Sequence, residues 1–177
     1  MKIRLAKIND ATKILQIYTP YVLDSAISFE ITVPTLDEFK NRMKEYSNKF
    51  PWIVCEIDEQ VVGYAYASAH RSRCAYEWSV EASVYIEDKY QGKGIGTKLY
   101  KTLFQLLKNQ GVVNIFAGIT LPNEGSIRLH ESLGFLPIGI FKDVGFKKGL
   151  WRDVGWWQLQ IQKPVQPNHL LPPAIKL

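Results

Sequence analysis

Three glycines at alternate positions, Gly92, Gly94 and Gly96, stand in the run Gln91-Gly92-Lys93-Gly94-Ile95-Gly96. Glycine lets successive backbone N–H groups turn toward one point without interference from a Cβ. A strand-like segment leads into this run and a helical one leads out, and a helix start adds unpaired donors and a partial positive charge. Together these form a cradle for an anion of pyrophosphate size. Spacing excludes two other phosphate motifs. The dinucleotide fingerprint requires GxGxxG where this chain has GxGxG, and the GxxxxGK[ST] phosphate loop is absent. A plain strand-to-helix turn with spare glycines meets the same description, so the turn alone specifies an anion site and no reaction. The cysteines point to no chemistry: Cys55 and Cys74 form no CxxC and have no Cys/His cluster around them. They read as reduced thiols rather than a disulfide, and no metal is expected.

The elements that must position this turn follow from periodicity. Residues 2–6 alternate as a strand. Asn9 and Asp10 can cap a helix whose core face is Ile14, Ile17, Tyr18, Tyr21 and Val22. Residues 25–33 read as loop or short extended structure. Thr35-Leu36-Asp37-Glu38 fits a capping box, followed by a helix with Leu36, Phe39, Met43 and Tyr46 on one face. Residues 52–57 and 61–69 read as a hairpin across Asp58-Glu59-Gln60. Residues 70–74 form a basic loop and 75–86 a long extended segment, with Trp78, Val80, Ala82, Val84 and Ile86 on one parity and Ser79, Glu81, Ser83 and Tyr85 on the other. A helix over 95–109 buries Ile95, Leu99, Leu103 and Leu106 and ends before Gly111. Residues 114–120 form a strand, 124–133 a short helix stopped by Gly134, and 135–141 and 154–161 closing strands around a Gly-rich basic loop. Helices mixed with antiparallel pairs give one α+β domain over residues 1–162. The tail, 163–177, carries Pro164, Pro167, Pro172 and Pro173 and is expected to be extended and lightly structured.

The chain has 177 residues, 46% hydrophobic and 22% charged, enough for one buried core. The net charge of +5 comes from scattered basic residues. It suits a phosphate-bearing small molecule better than nucleic acid, which calls for a clustered stripe. Five Trp and nine Tyr suggest a pocket or interface. No apolar run reaches membrane-span length and no signal-peptide pattern is visible, so no membrane partner and a cytoplasmic location are expected.

The run Gln91 to Gly96 resembles the Q/R-x-x-G-x-G/A motif of the Gcn5-related N-acetyltransferase superfamily. Asn123, Ser126, His130, Gly134 and Phe135 resemble that family's second signature. Further stretches are similar to the phosphinothricin and methionine sulfoximine N-acetyltransferase branch. They are Trp78-Ser79-Val80-Glu81-Ala82-Ser83-Val84-Tyr85, Leu121-Pro122-Asn123, Leu129 to Phe135, and Trp151-Arg152-Asp153-Val154-Gly155-Trp156-Trp157-Gln158. The resemblance runs from Ile3 to Gln162. It implies the acetyltransferase fold, a mixed, largely antiparallel sheet flanked by helices, with acetyl-CoA as co-substrate. It also implies a homodimer and herbicide resistance through acetylation of phosphinothricin. Gln91, Gly92, Lys93, Gly94, Ile95, Gly96 and Thr97 would bind the pyrophosphate, and Val84, Tyr85 and Ile86 would pair with the pantetheine arm.

Acetyl transfer to an amine needs an acceptor for the ammonium proton, stabilisation of the thioester oxygen and protonation of the leaving thiolate. Glu81 holds the position of the family's catalytic glutamate; as a bare residue it is also an ordinary sheet-edge carboxylate. His130 stands where many members have a tyrosine that protonates the thiolate. It departs from that pattern but agrees with the phosphinothricin branch, and it can act as acid, as second base or as a satisfied helix histidine. Backbone N–H groups near Val84 and Tyr85 would hold the oxyanion, and Asn123 would bind pantetheine or cap its helix. On the acceptor side, Arg71, Arg73, Lys147 and Arg152 are candidate anion partners, and Phe29, Tyr76 and Trp78 candidate walls. Trp156 and Trp157 are assigned to the core or a dimer interface. The expected function is acetyl-CoA-dependent N-acetylation of a small amino acid such as phosphinothricin, methionine sulfoximine or methionine sulfone; the resemblance implies direct attack in a ternary complex, and no Ser or Cys nucleophile with an adjacent base is visible that would argue for a covalent acetyl-enzyme. The alternatives are acetylation of a peptide N-terminus or a polyamine, and a non-catalytic acyl-CoA sensor.

Overall fold

The computed structural model describes residues 1–166 and 169–173, and the periodicities of the sequence become seven strands and four α-helices there. In chain order these are β1 (Lys2–Leu5), α1 (Ala11–Leu23), α2 (Leu36–Ser47), β2 (Trp52–Ile57), β3 (Gln60–Ala69), β4 (Ser79–Ile86), α3 (Ile95–Gln110), β5 (Asn114–Thr120), α4 (Glu124–Ser132), β6 (Leu136–Lys147) and β7 (Leu150–Gln160). The strands form one sheet in the order β1-β2-β3-β4-β5-β7-β6. Every neighbouring pair is antiparallel except β4 and β5, which are parallel.

Two apolar layers cover the sheet. On one face α3 sets Ile95, Leu99, Leu103 and Leu106 against Ile53, Ala65, Val80 and Ile115. On the other, α1 and α2 set Ile14, Ile17, Tyr18, Phe39 and Met43 against Trp52, Val54 and Tyr64. Truncating a fully buried residue such as Leu99 to Ala would cost about 2–5 kcal/mol. Most of the tyrosines serve this second layer. Tyr66, Trp52, Tyr64 and Tyr85 stack in that order across the sheet, with Tyr18 and Tyr21 edge-on to Tyr85. The capping box forms as its residues require: Thr35 Oγ1 accepts the Glu38 N–H, and Glu38 accepts the Thr35 N–H.

Several expectations are corrected. Asp10 does not cap α1 through its side chain; its carboxylate accepts from Arg4 at 2.7 and 2.8 Å and from the Lys7 N–H at 2.7 Å. The extended segment begins only at Ser79, because residues 74–76 close a 3₁₀ turn. The Gly-rich stretch after residue 141 is not a loop, since β6 and β7 run through it to a tight turn at Lys148-Gly149. Register slips between Phe141 and Gly145. There the Asp153 carboxylate accepts the Asp143 N–H and Lys142, holding the irregular turn of strand that glycine and charge made look like coil. The described part of the tail is docked: Leu171 exchanges hydrogen bonds with Gln110 at the end of α3, and the Leu170 N–H donates to Glu77. Residues 167, 168 and 174–177 of the predicted tail lie outside the described residues.

Candidate active site

β4 and β5 pair only from Ser79 opposite Asn114 to Glu81 opposite Phe116. Beyond that point each follows its antiparallel partner. β4 stays with β3 as far as Ile86, and β5 stays with β7 as far as Thr120, so the two strands diverge. The divergence opens a slot of about 70 Å³ walled by Ala82, Ser83, Val84, Tyr85, Gly118 and Ile119, with Tyr100, Asn123 and His130 on the α3–α4 side. The slot adjoins a cleft of about 430 Å³ under the α1–α2 loop, bordered by Phe29, Glu81, Ser83, Tyr85, Val154 and Trp156. Ala82, Ser83, Tyr85, Gly118 and Thr120 wall both spaces, so the slot and the cleft lie on either side of the same residues.

At one end of β4 lies the glycine turn. Gly92 (φ 71°) and Gly94 (φ 75°) occupy left-handed backbone, and Gly94 is the cap of α3. A Cβ built on either would meet nothing within 4 Å. The turn therefore requires glycine for its conformation, and the space above it is open to a ligand. The Lys98 N–H takes the Gly94 carbonyl at 3.2 Å, and the amides of Ile95, Gly96 and Thr97 precede that first helical bond. Open space, amides ahead of the first helical bond and the positive end of a 16-residue helix suit a pyrophosphate. Lys93 sits over the Tyr90 ring at 5.0 Å, at the edge of the same turn. Two members of the predicted set are engaged elsewhere. Gln91 donates to the Tyr21 hydroxyl at 3.1 Å, and that hydroxyl takes both polar groups of the Ile86 backbone. Ile86 accordingly lines the groove beside α1 and not the slot.

Glu81 borders the acceptor-side cleft from β4. Its Oε1 lies 3.0 Å from Nδ1 of His70 and 3.5 Å from the Arg71 guanidinium. His130 is 3% exposed in α4. Its Nδ1 lies 2.8 Å from the Ser126 carbonyl, which can only accept, so Nδ1 carries the proton and Nε2 accepts from the Tyr100 hydroxyl at 3.1 Å. Burial pulls its pKa below the ordinary 6.5, with the Ser126 bond opposing, and the ring is neutral. Asn123 fills the capping role, its Oδ1 accepting the Ser126 N–H at 3.1 Å, and the residue also lines the slot.

The predicted acceptor residues divide. Phe29 reaches the cleft and lies so close to β6 that a Cβ on Gly145 would come within 2.2 Å of its ring. Arg71 reaches Glu81. Arg73 and Tyr76 line a different groove, shared with Leu170 and Leu171, and Trp78 is half-buried at the start of β4, where its carbonyl accepts from Val113 and Asn114. Lys147 is committed: its buried ammonium donates to the carbonyls of Val22, Ser28 and Glu30 at 2.7, 2.6 and 2.8 Å, and burial lowers its pKa. It fastens the α1–α2 loop over the cleft and is not a substrate anion partner. Arg152 shares a face of β7 with Val154 and Trp156, and its buried Nε has no hydrogen-bond partner among the described residues. Trp157 is core as expected, donating to Glu131, whereas Trp156 borders the cleft. Sequence reasoning passed over His70, Tyr100 and Ser83. The parity that singled out Glu81 also pointed to Ser83; His70 and Tyr100 carry no comparable signal.

Residues 3–156 match the acetyltransferase (GNAT) domain family. A phosphinothricin N-acetyltransferase of Streptomyces viridochromogenes is 35% identical over 172 residues, covering 97% of this chain and 94% of its own. An L-methionine sulfoximine/L-methionine sulfone acetyltransferase of Salmonella typhimurium is 36% identical, covering 95% and 99%. The solved structure of an acetyltransferase from Salmonella typhimurium with acetyl-CoA superposes with a TM-score of 0.91 at 34% identity, covering 95% of this chain and 98% of its own.

Proposed function

The chain belongs to the GNAT acetyltransferase family, and from that premise we propose that it N-acetylates a small amino acid of the phosphinothricin or methionine sulfoximine/sulfone type, using acetyl-CoA. The observation that carries the reading is a slot between the parted strands β4 and β5 that shares its walls with a cleft bordered by a carboxylate, with the α1–α2 loop tied down across that cleft. A cleft of about 430 Å³ roofed in this way suits an amino acid better than a folded protein's terminus.

Acetyl-CoA supplies the thioester. Gly92, Lys93, Gly94, Ile95, Gly96 and Thr97 hold its pyrophosphate, Val84 and Tyr85 its amide arm and the thioester oxygen, and Asn123 the arm's far edge. Glu81 takes the proton of the acceptor's ammonium, so that the amine lone pair attacks the thioester carbon in a ternary complex. The Tyr100–His130 pair, on the α3–α4 side of the slot, serves the departing thiolate. Phe29 and Trp156 flank the acceptor, and Arg71 and Arg152 are the cations left to meet its anionic groups. Residues 1–162 form the acetyltransferase domain and 163–177 the tail, whose Leu170 and Leu171 dock on it. The exposed Leu136, Ile138 and Ile140 along the edge strand β6 support a homodimer, and we place the enzyme in the cytoplasm, where acetylating phosphinothricin would confer herbicide resistance. No helix among the described residues is long and apolar enough to cross a membrane.

The test is an acceptor screen that follows CoA release with methionine sulfoximine, methionine sulfone, phosphinothricin, spermidine and a peptide panel. Turnover on the small amino acids is expected. Turnover on spermidine or peptides alone overturns the acceptor assignment, and acetyl-CoA binding with no turnover on any amine favours a sensor.

A further inference from the structure

We propose that His70 is a positioning residue whose imidazole holds the Glu81 carboxylate at the mouth of the acceptor cleft; this rests on Glu81 being the base. Four observations converge on the ring. Its Nδ1 lies 3.0 Å from Glu81 Oε1. Its plane is stacked on Phe116 of β5, with centroids 4.3 Å apart and planes at 19°. Tyr76 and Trp156 close on it edge-wise, at 6.1 and 6.0 Å. Its backbone N–H donates to the Ser79 carbonyl at 3.2 Å, tying the 70–74 loop to the start of β4. The imidazole is thus confined on three sides, and its side chain is 13% exposed against 33% for Glu81. A glutamate projecting alone from a strand would sample several rotamers. A fixed donor selects one, and catalytic groups lose rate steeply when they are misplaced. Arg71 is a weaker restraint, at 3.5 Å with half of its side chain in solvent.

The test compares His70→Phe, which keeps a ring on Phe116 and removes the donor, with His70→Asn, whose amide nitrogen can stand near the Nδ1 position. The expected results for His70→Phe are a fall in kcat of about tenfold or more and an unchanged KM for acetyl-CoA. His70→Asn, which restores a donor to Glu81 Oε1, is expected to recover most of the loss. A His70→Phe variant with wild-type kcat overturns the proposal. So do equal losses in both variants, which mark a packing role. Glu81→Gln separates the two readings: if it keeps its turnover, the assignment of the base fails and this proposal with it, whereas an inactive Glu81→Gln beside a fully active His70→Phe sinks only the role of His70.

Discussion

The donor half of the site and the acceptor half are built by different means. The donor half is backbone: a left-handed glycine turn, the first amides of α3, and two strands that part because each follows its own antiparallel partner. The acceptor half is side chains brought from far apart in the chain. Lys147 of β6 holds three carbonyls of the α1–α2 region, Phe29 lies against Gly145, and His70 grips Glu81. A backbone site tolerates sequence change, and a side-chain site can be respecified by single substitutions. Relatives solved with acetyl-CoA, and relatives named for phosphinothricin and for methionine sulfoximine, fit that division.

The most forceful way to break this contrast is Glu81→Gln. Turnover should fall by about 100-fold or more, the scale of lost acid–base help, while acetyl-CoA binding measured by calorimetry stays at the wild-type level. A parallel loss of donor binding would erase the distinction between the halves. Next in size is Lys147→Met. It leaves three buried carbonyls without their donor, at a cost of about 1–3 kcal/mol in stability, and frees the roof of the cleft. Acceptor KM should rise about tenfold while the KM for acetyl-CoA holds, both read from steady-state kinetics. The mirror experiment is Gly94→Ala, which strains a left-handed position by about 1 kcal/mol. A roughly fivefold rise in acetyl-CoA KM with unchanged acceptor KM would sharpen the contrast.

The smallest expected effect concerns His130. Its folded-state pKa lies below the ordinary 6.5 because of burial, so the unfolded chain takes up the proton first. The stability that the neutral ring gives is present above pH 6.5 and is lost as pH falls from there toward the folded-state pKa. Melting curves should show the wild type declining more steeply below pH 6.5 than His130→Asn, and matching slopes would remove this assignment.

The contrast also explains what could be read from the sequence. Gly92, Gly94 and Gly96, the Thr35–Glu38 box and the strand and helix periods are local patterns, and local patterns survive without coordinates. The parity that placed Glu81 opposite Val80 and Ala82 belongs to the same class. Lys147 read as a loop cation because the glycines and charges around it mimic coil, and only the cross-strand register with β7 turns it inward. His70 looked like one basic loop residue among several, and its meaning depends on Phe116 and Trp156, 46 and 86 residues later. Trp156 and Trp157 are neighbours in sequence, yet alternation along β7 sends one to the cleft and the other to the core.

The docked segment at Leu170 and Leu171 has a practical side. It joins Glu77 to the end of α3, and Glu77 follows directly on the loop that carries His70 and Arg71. Anyone preparing this enzyme should therefore put affinity tags on the amino end. A tag at the carboxyl end would load a strap whose other anchor, Glu77, is a few residues from the histidine beside the Glu81 carboxylate.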